Sequence, residues 1–298
     1  MDSHVLSLSG GKDSVAAGLH LRDLGIPHRR VFMDTGWEHP TLYAHLDYLE
    51  EELGPIVRLH PQVPDIPAGY EVRVEEIETA MGVASSAYVR TVVAKGMFPS
   101  RLRRFCTQQL KIYPFLKWVD ALDEDIVNVV GIRHEESAAR ARMPERELMR
   151  GAEHIEVWRP LIRWTEQDVI DIHTRHGVLP CPLYLEGSRR VGCWPCIHAN
   201  KAALQHLSAD PARVQAIRLL EALVQDMAAT RAEAKGVEPG NPPTLFQQTM
   251  RNPDGTRPCR PIDEILTWAN TKHGGRQMLI GSDWGSEPGC VRWGVCSG

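Results

Sequence analysis

Apolar residues fall along the chain in two recurring patterns. Short runs at Val5-Leu6-Ser7-Leu8, Arg29 to Met33, Ile56 to Leu59 and Ile126-Val127-Asn128-Val129-Val130 have the length and composition of buried strands. Between them lie helical stretches. Val15 to Leu24 is closed by Gly25 and Ile26-Pro27, and Leu42, Leu46, Leu49 and Leu53 form an amphipathic stripe that starts after Pro40 and ends at Gly54-Pro55. Strand, helix, strand in that order implies right-handed crossovers and a parallel sheet. The expected fold class is therefore α/β, with a parallel sheet of about five strands and helices on both faces.

Farther along, residues 61–69 read as loop and 71–95 as one or two helices. Thr165 with Asp168 makes a variant capping box for a helix that runs to His176 and stops at Gly177. Helices are expected over Ala199 to Leu207, Pro211 to Lys235 and Ile262 to Thr271, with a Gly- and Pro-rich connection over 236–261. Val214, Ile217, Val224 and Met227 share one face of the longest, as core or as a homodimer interface. The expected division is an α/β nucleotide-binding domain over 1–180 and a C-terminal, mainly helical region over 181–298.

Composition adds limits. The 298 residues are 43% hydrophobic and 24% charged, as in ordinary soluble proteins. A net charge of −4 argues against non-specific coating of nucleic acid, though a local basic cleft is compatible with it. No apolar run is long enough to span a membrane, and the N-terminus lacks the pattern of a secretion signal. Seven cysteines without such a signal fit a reducing compartment, so a cytoplasmic location is expected.

The stretch around which the chemistry gathers is Ser9-Gly10-Gly11-Lys12-Asp13-Ser14, between the first strand and the first helix. That geometry aims free backbone N–H groups and a helix dipole at an anion. Gly10 and Gly11 allow close approach of a phosphate, Lys12 adds a point charge, and Ser9 and Ser14 add hydroxyls. The spacing is neither that of a Walker A loop nor of the dinucleotide-binding glycine motif.

Four further clusters follow. Asp34, in Asp34-Thr35-Gly36-Trp37-Glu38-His39-Pro40, ends the second strand at the edge where such sheets bind ligands. Arg101, Arg103, Arg104 and Lys111 bracket Cys106, while Gly131, Arg133, Glu136, Ser137 and Arg140 follow the strand at 126–130. Cys193 and Cys196 form a C-x-x-C pair compatible with a redox dithiol, a zinc site completed by His198, or half of an iron–sulfur site.

The motif S-G-G-x-D-S resembles the PP-loop of the N-type ATP pyrophosphatases, which split ATP between its α- and β-phosphates. D-T-G-W-E-H-P-T, C-T-x-x-L-K-x-x-P at Cys106, G-I-R-H-E-E-S-A-A-R and P-L-Y-x-x-G-x-x-x-x-G-C-x-P-C resemble elements of the phosphoadenosine phosphosulfate (PAPS) reductase family. The resemblance implies an adenine nucleotide α-hydrolase-like fold with Asp34, Arg104, Lys111, Gly131, Arg133 and Arg140 beside the nucleotide, and Lys12, Asp13 and Arg133 in catalysis. It also implies ATP, Mg²⁺ and a 4Fe–4S cluster on Cys106, Cys193 and Cys196. Phe105 stands where cluster-bearing reductases carry a second cysteine, leaving Cys181, Cys290, Cys296 or an open iron for the fourth position. The expected activity is adenylation of an acceptor followed by sulfur transfer, as in phosphorothioation enzymes and tRNA thiolases. Nucleic acid or a small metabolite would then be the acceptor and a sulfur-donor protein a partner. The alternatives are a PAPS or adenylyl sulfate reductase, whose E-C-G-x-H tail this chain lacks, and a non-catalytic nucleotide- or cluster-binding regulator.

Overall fold

A computed structural model describes residues 3–247 and 255–272 together with Trp293. Its centre is a six-stranded sheet of order β3-β2-β1-β4-β6-β5. The strands are β1 (Ser3–Ser7), β2 (His28–Met33), β3 (Ile56–Leu59), β4 (Ile126–Val130), β5 (Arg146–Met149) and β6 (Ala152–Trp158). The first four and β6 are parallel, whereas β5 runs antiparallel along β6. The expected parallel sheet of about five strands is present, and an antiparallel edge strand, β5, is added to it. The four residues of β5, Arg-Glu-Leu-Met, show no apolar alternation, because an edge strand exposed on both faces needs none.

Both sheet faces are apolar, which is why the central strands read as unbroken runs. On one face Leu6, Phe32, Val127 and Val129 lie beneath α1 (Lys12–Asp23), α2 (Pro40–Leu53) and the helix Glu166–His176. On the other, Val5, Val31, Ile126 and Ile155 meet Phe115 and Val119 of the helix Tyr113–Asp120. A third core joins α3 (Glu71–Ala80) and α4 (Ala87–Lys95) to the long helix Pro211–Ala234 and to Ile262–Ala269. The face carrying Val214, Ile217, Val224 and Met227 is buried within this core. Glu221 lies buried there too, and its carboxylate accepts from the N–H groups of Leu245 and Ile262, each at 3.0 Å, tying the Gly- and Pro-rich connection to the helix. Among the described residues no helix is long and apolar enough to cross a membrane.

The stripe of α2 also buries His45, whose Nε2 has no hydrogen-bond partner. Burial, and then the nearby His173, push its imidazole down to about 4. The unfolded chain therefore takes up this proton first as pH falls, so the folded state loses stability between about pH 6.5 and pH 4, by up to roughly 3 kcal/mol. Urea titrations from pH 7 to pH 4 should show a shallower loss of stability for His45→Leu than for the parent chain. Parallel curves would remove this histidine from the acid response.

Candidate active site

The loop between β1 and α1 is held largely by its own atoms. The Ser14 hydroxyl donates to the Gly11 carbonyl at 2.9 Å and accepts from Ser9 N–H at 3.1 Å, while Ser9 Oγ lies 3.1 Å from Ser14 Oγ. Gly10 has φ +71°, and a Cβ there would fall 2.4 Å from Leu42 Cδ1. This tight turn places the first N–H groups of α1 at the carboxyl edge of the sheet. Lys12 N–H donates to Tyr184 Oη at 3.3 Å, so a residue 172 positions away closes the cradle.

Lys12 is itself buried. Its Nζ stands 3.5 Å from Asp13 Oδ2, 3.4 Å from Glu166 Oε1 and 5.0 Å from the Tyr184 ring centre. Burial holds its ammonium below the usual lysine range, with Asp13 opposing that shift. Arg133, also buried, donates from Nε to Asp13 Oδ1 at 2.5 Å and from Nη1 to Glu135 at 2.7 Å. It therefore clamps the aspartate of the loop. Gly131 lets this happen: a Cβ on it would sit 2.3 Å from the Asp13 carbonyl oxygen.

A cavity of about 270 Å³ opens over this edge. Ser9, Gly11, Asp13, Ser14, Met33, Gly131, Lys111 and Arg140 line it, and so do Cys193 and Cys196. Arg140 is ion-paired to Glu136. The structure thus brings the anion cradle and the cysteine pair to one space. Lys12, Asp34, Arg104 and Arg133 do not form its wall. The Asp34 carboxylate is committed to its own turn, accepting from Gly36 N–H at 2.8 Å and Tyr43 Oη at 2.7 Å. Arg104 is exposed.

The cysteine loop is docked by the segment that follows β2. Glu38 pairs with Cys193 in an isolated β-bridge, Trp194 N–H donates to the Trp37 carbonyl at 2.7 Å, and Trp37 Nε1 donates to the Pro195 carbonyl at 3.0 Å. The buried Glu38 carboxylate accepts from Thr35 N–H and Oγ1 and from Trp37 N–H, and lies 3.8 Å from Lys111 Nζ and 3.9 Å from Cys193 Sγ. Lys111 projects from a π-helical segment, Gln108–Ile112, immediately after Cys106. Cys193 above all, then Glu38, Cys196 and Cys106, raise it beyond the usual lysine range against the effect of burial. It is the cation that the thiols and the carboxylate share.

Cys106, Cys193 and Cys196 lie close enough to act on one another electrostatically. Burial pushes the Cys193 thiol up to about 11 and raises Cys106 as well. Tyr88, stacked on Trp37 at 4.5 Å, lies in the field of the same three thiols, and its buried hydroxyl has no hydrogen-bond partner. An acceptor placed among the thiols, such as a cluster sulfide, would satisfy it. Among the described residues no three His, Cys, Asp or Glu side chains form a group that could hold a metal ion. Burial, followed by the charges of Arg101, Arg104 and Arg190, holds His198 below the usual imidazole range. Cys181 is wholly buried in the core beneath α1 and α2, while Cys290 and Cys296 lie outside the described residues.

The site residues missed in the sequence are Tyr184, Glu166 and the docking pair Trp37 and Glu38. Tyr184, Trp37 and Glu38 stand inside motifs quoted above, but their partners are far away in the chain.

Comparison with known proteins places this geometry. The model of the phosphoadenosine phosphosulfate reductase domain matches residues 3–199. An uncharacterized 37.8 kDa protein of Escherichia phage 186 is 33% identical over 238 residues, covering 69% of this chain and 70% of that one. The adenosine 5′-phosphosulfate reductase of Allochromatium vinosum is 27% identical over 200 residues, covering 67% and 70%. A crystal structure of the PAPS reductase of Candida auris superposes with a TM-score of 0.47 at 17% identity, over 66% of this chain and 83% of that one. With the domain model spanning the loop, the strand ends and the cysteine pair alike, this chain belongs to the phosphoadenosine phosphosulfate reductase domain family.

Proposed function

We propose that the chain is an ATP pyrophosphatase that adenylates an acceptor and supports sulfur transfer at the same cavity. The observation that carries this reading is that one space is lined by the PP-loop residues Ser9, Gly11, Asp13 and Ser14 and by Cys193 and Cys196. An acceptor oxygen attacks the α-phosphorus of ATP, the bond to the β-phosphate breaks, and pyrophosphate leaves. Sulfide supplied by a sulfur-donor protein then bonds to the activated atom of the acceptor, the bond from that atom to the adenylated oxygen breaks, and AMP departs carrying that oxygen. The loop N–H groups bind the leaving phosphates, Asp13 stands where Mg²⁺ would be held, and Arg133 fixes the direction of that carboxylate. Lys12 and Arg140 add positive charge around it. Cys106, Cys193 and Cys196 would hold a 4Fe–4S cluster, which when bound supplies a site for sulfide or for electrons. In this reading residues 1–180 carry the nucleotide, and residues 181–298 supply the thiol loop and the helices behind it.

A second reading is reduction of adenylyl sulfate or PAPS, favoured by the 27% identity to a reductase. Incubation of the anaerobically purified protein with ATP and with each sulfonucleotide in separate tubes decides between them. Pyrophosphate from ATP is the expected result. Sulfite from a sulfonucleotide, with ATP untouched, selects reduction.

A further inference from the structure

The peptide of Lys12, where the anion cradle turns into α1, is gripped from both sides. Its N–H donates to Tyr184 Oη at 3.3 Å, and its carbonyl oxygen lies 2.9 Å from His173 Nε2. Neither grip is sufficient by itself. The bond to Tyr184 is long, and the other nitrogen of His173, Nδ1, lies 3.0 Å from the Val178 carbonyl oxygen. Burial holds this imidazole below its usual range, and a neutral ring carries one N–H, so it donates to only one of the two carbonyls. Trp293 supplies the missing constraint. Its buried indole meets the His173 ring edge-on, with centres 5.2 Å apart and planes at 82°, and its centre lies 6.3 Å from that of the Tyr184 ring. Tyr184 lines the cavity, whereas His173 and Trp293 do not. The indole therefore backs the cradle without forming its wall.

The Tyr184 hydroxyl has a proton to give. It accepts from Lys12 N–H, and among the described residues its own O–H donates to no acceptor. Burial, and then the charge of Asp13, raises this phenol above its usual range, so the proton stays in place at neutral pH. The oxygen stands at the loop itself, 3.2 Å from where a Cβ on Gly11 would fall. We infer that Trp293 is a positioning residue for the nucleotide: by fixing the His173 and Tyr184 rings it holds the Lys12 peptide in the cradle and aims the Tyr184 hydroxyl as a further donor to the bound phosphates. The inference rests on the proposed function only in taking the ligand of the loop to be a nucleotide.

Trp293→Leu keeps an apolar side chain at this position and removes the ring, whereas Trp293→Phe keeps a ring. The first should weaken ATP binding by about tenfold and the second by no more than about threefold, as when a group remote from the ligand loses its aim. Tyr184→Phe, which deletes the hydroxyl alone, should also cost about tenfold. The double variant Trp293→Leu/Tyr184→Phe should lose less than the product of the two, because both act on one hydroxyl. Deuterium uptake without nucleotide reads the loop independently: the peptide carrying Lys12 should exchange faster in Trp293→Leu, while peptides from β2 and β3 keep the parent rate. Loop exchange at the parent rate, parent-like ATP affinity in Tyr184→Phe or Trp293→Leu, or the full product of losses in the double variant would overturn the inference. Equal acceleration of exchange along the whole chain would overturn it too, as a general loss of packing. A parent chain that binds no ATP, with the exchange effect at the loop intact, would count against the proposed function and leave the positioning by Trp293 standing.

Discussion

Replacing Gly131 by alanine is expected to abolish nucleotide binding. The new Cβ would stand 2.3 Å from the carbonyl oxygen of Asp13, 2.5 Å from its carbonyl carbon and 2.6 Å from Ser14 N. All three are backbone atoms in the first turn of α1, so no side-chain rotation relieves the clash. Either the end of β4 or the start of α1 must move, and the N–H groups of the cradle move with it. Overpacking of this kind costs about 1–3 kcal/mol in stability, which a domain of this size survives. The loss of binding should exceed that cost, because anion recognition depends on the aim of several donors at once. Calorimetric titration with ATP, paired with a thermal melt, separates the two effects. Gly240→Ala, where an added Cβ meets nothing within 4 Å, is the matched control. Parent-like ATP affinity in Gly131→Ala would show that the approach of β4 to α1 is not needed for the cradle.

Lys12→Ala should lower ATP-dependent pyrophosphate release by about two to three orders of magnitude, as when one preorganised donor is removed from a developing charge. The ammonium sits between Asp13 and Glu166 behind the loop, where burial weakens its hold on its proton. The sign of that shift fixes a pH signature. Lys12 deprotonates at lower pH than an exposed lysine, so the alkaline decline of activity should begin below the ordinary lysine range in the parent and vanish with the residual activity of the variant. Iron content should be unchanged, because the three thiols are positioned by Trp37, Glu38 and the π-helical turn. Unchanged pyrophosphate release would remove Lys12 from the mechanism.

The legible part of this molecule was the part governed by local pattern. β4 begins and ends where its apolar run does, since a central strand covered on both faces favours apolar residues along its length, and the edge strand β3 also keeps the expected bounds. The Thr165–Asp168 box and the stop at Gly177, with φ +68°, likewise follow from short-range chemistry. The unread part depended on distance. The β5–β6 edge pair carries charged residues that give no periodic signal. Asp34 sits at the expected strand end, yet its carboxylate is committed to Gly36 and Tyr43, a choice that only the folded turn reveals. Glu38 looked like one polar residue in a motif, and its role emerges only from a loop 155 residues later. Tyr184 is the same case: a tyrosine in P-L-Y carries no sign that its hydroxyl will meet the N–H of Lys12.

The account stands on nucleotide and thiols sharing a space, and an anaerobic crystal structure with a non-hydrolysable ATP analogue, recorded at the iron absorption edge, tests that directly. The account predicts triphosphate density against Ser9 to Ser14 and iron scattering bounded by Cys106, Cys193 and Cys196 across the same cavity. A nucleotide bound elsewhere, or a single zinc in place of iron, would contradict it.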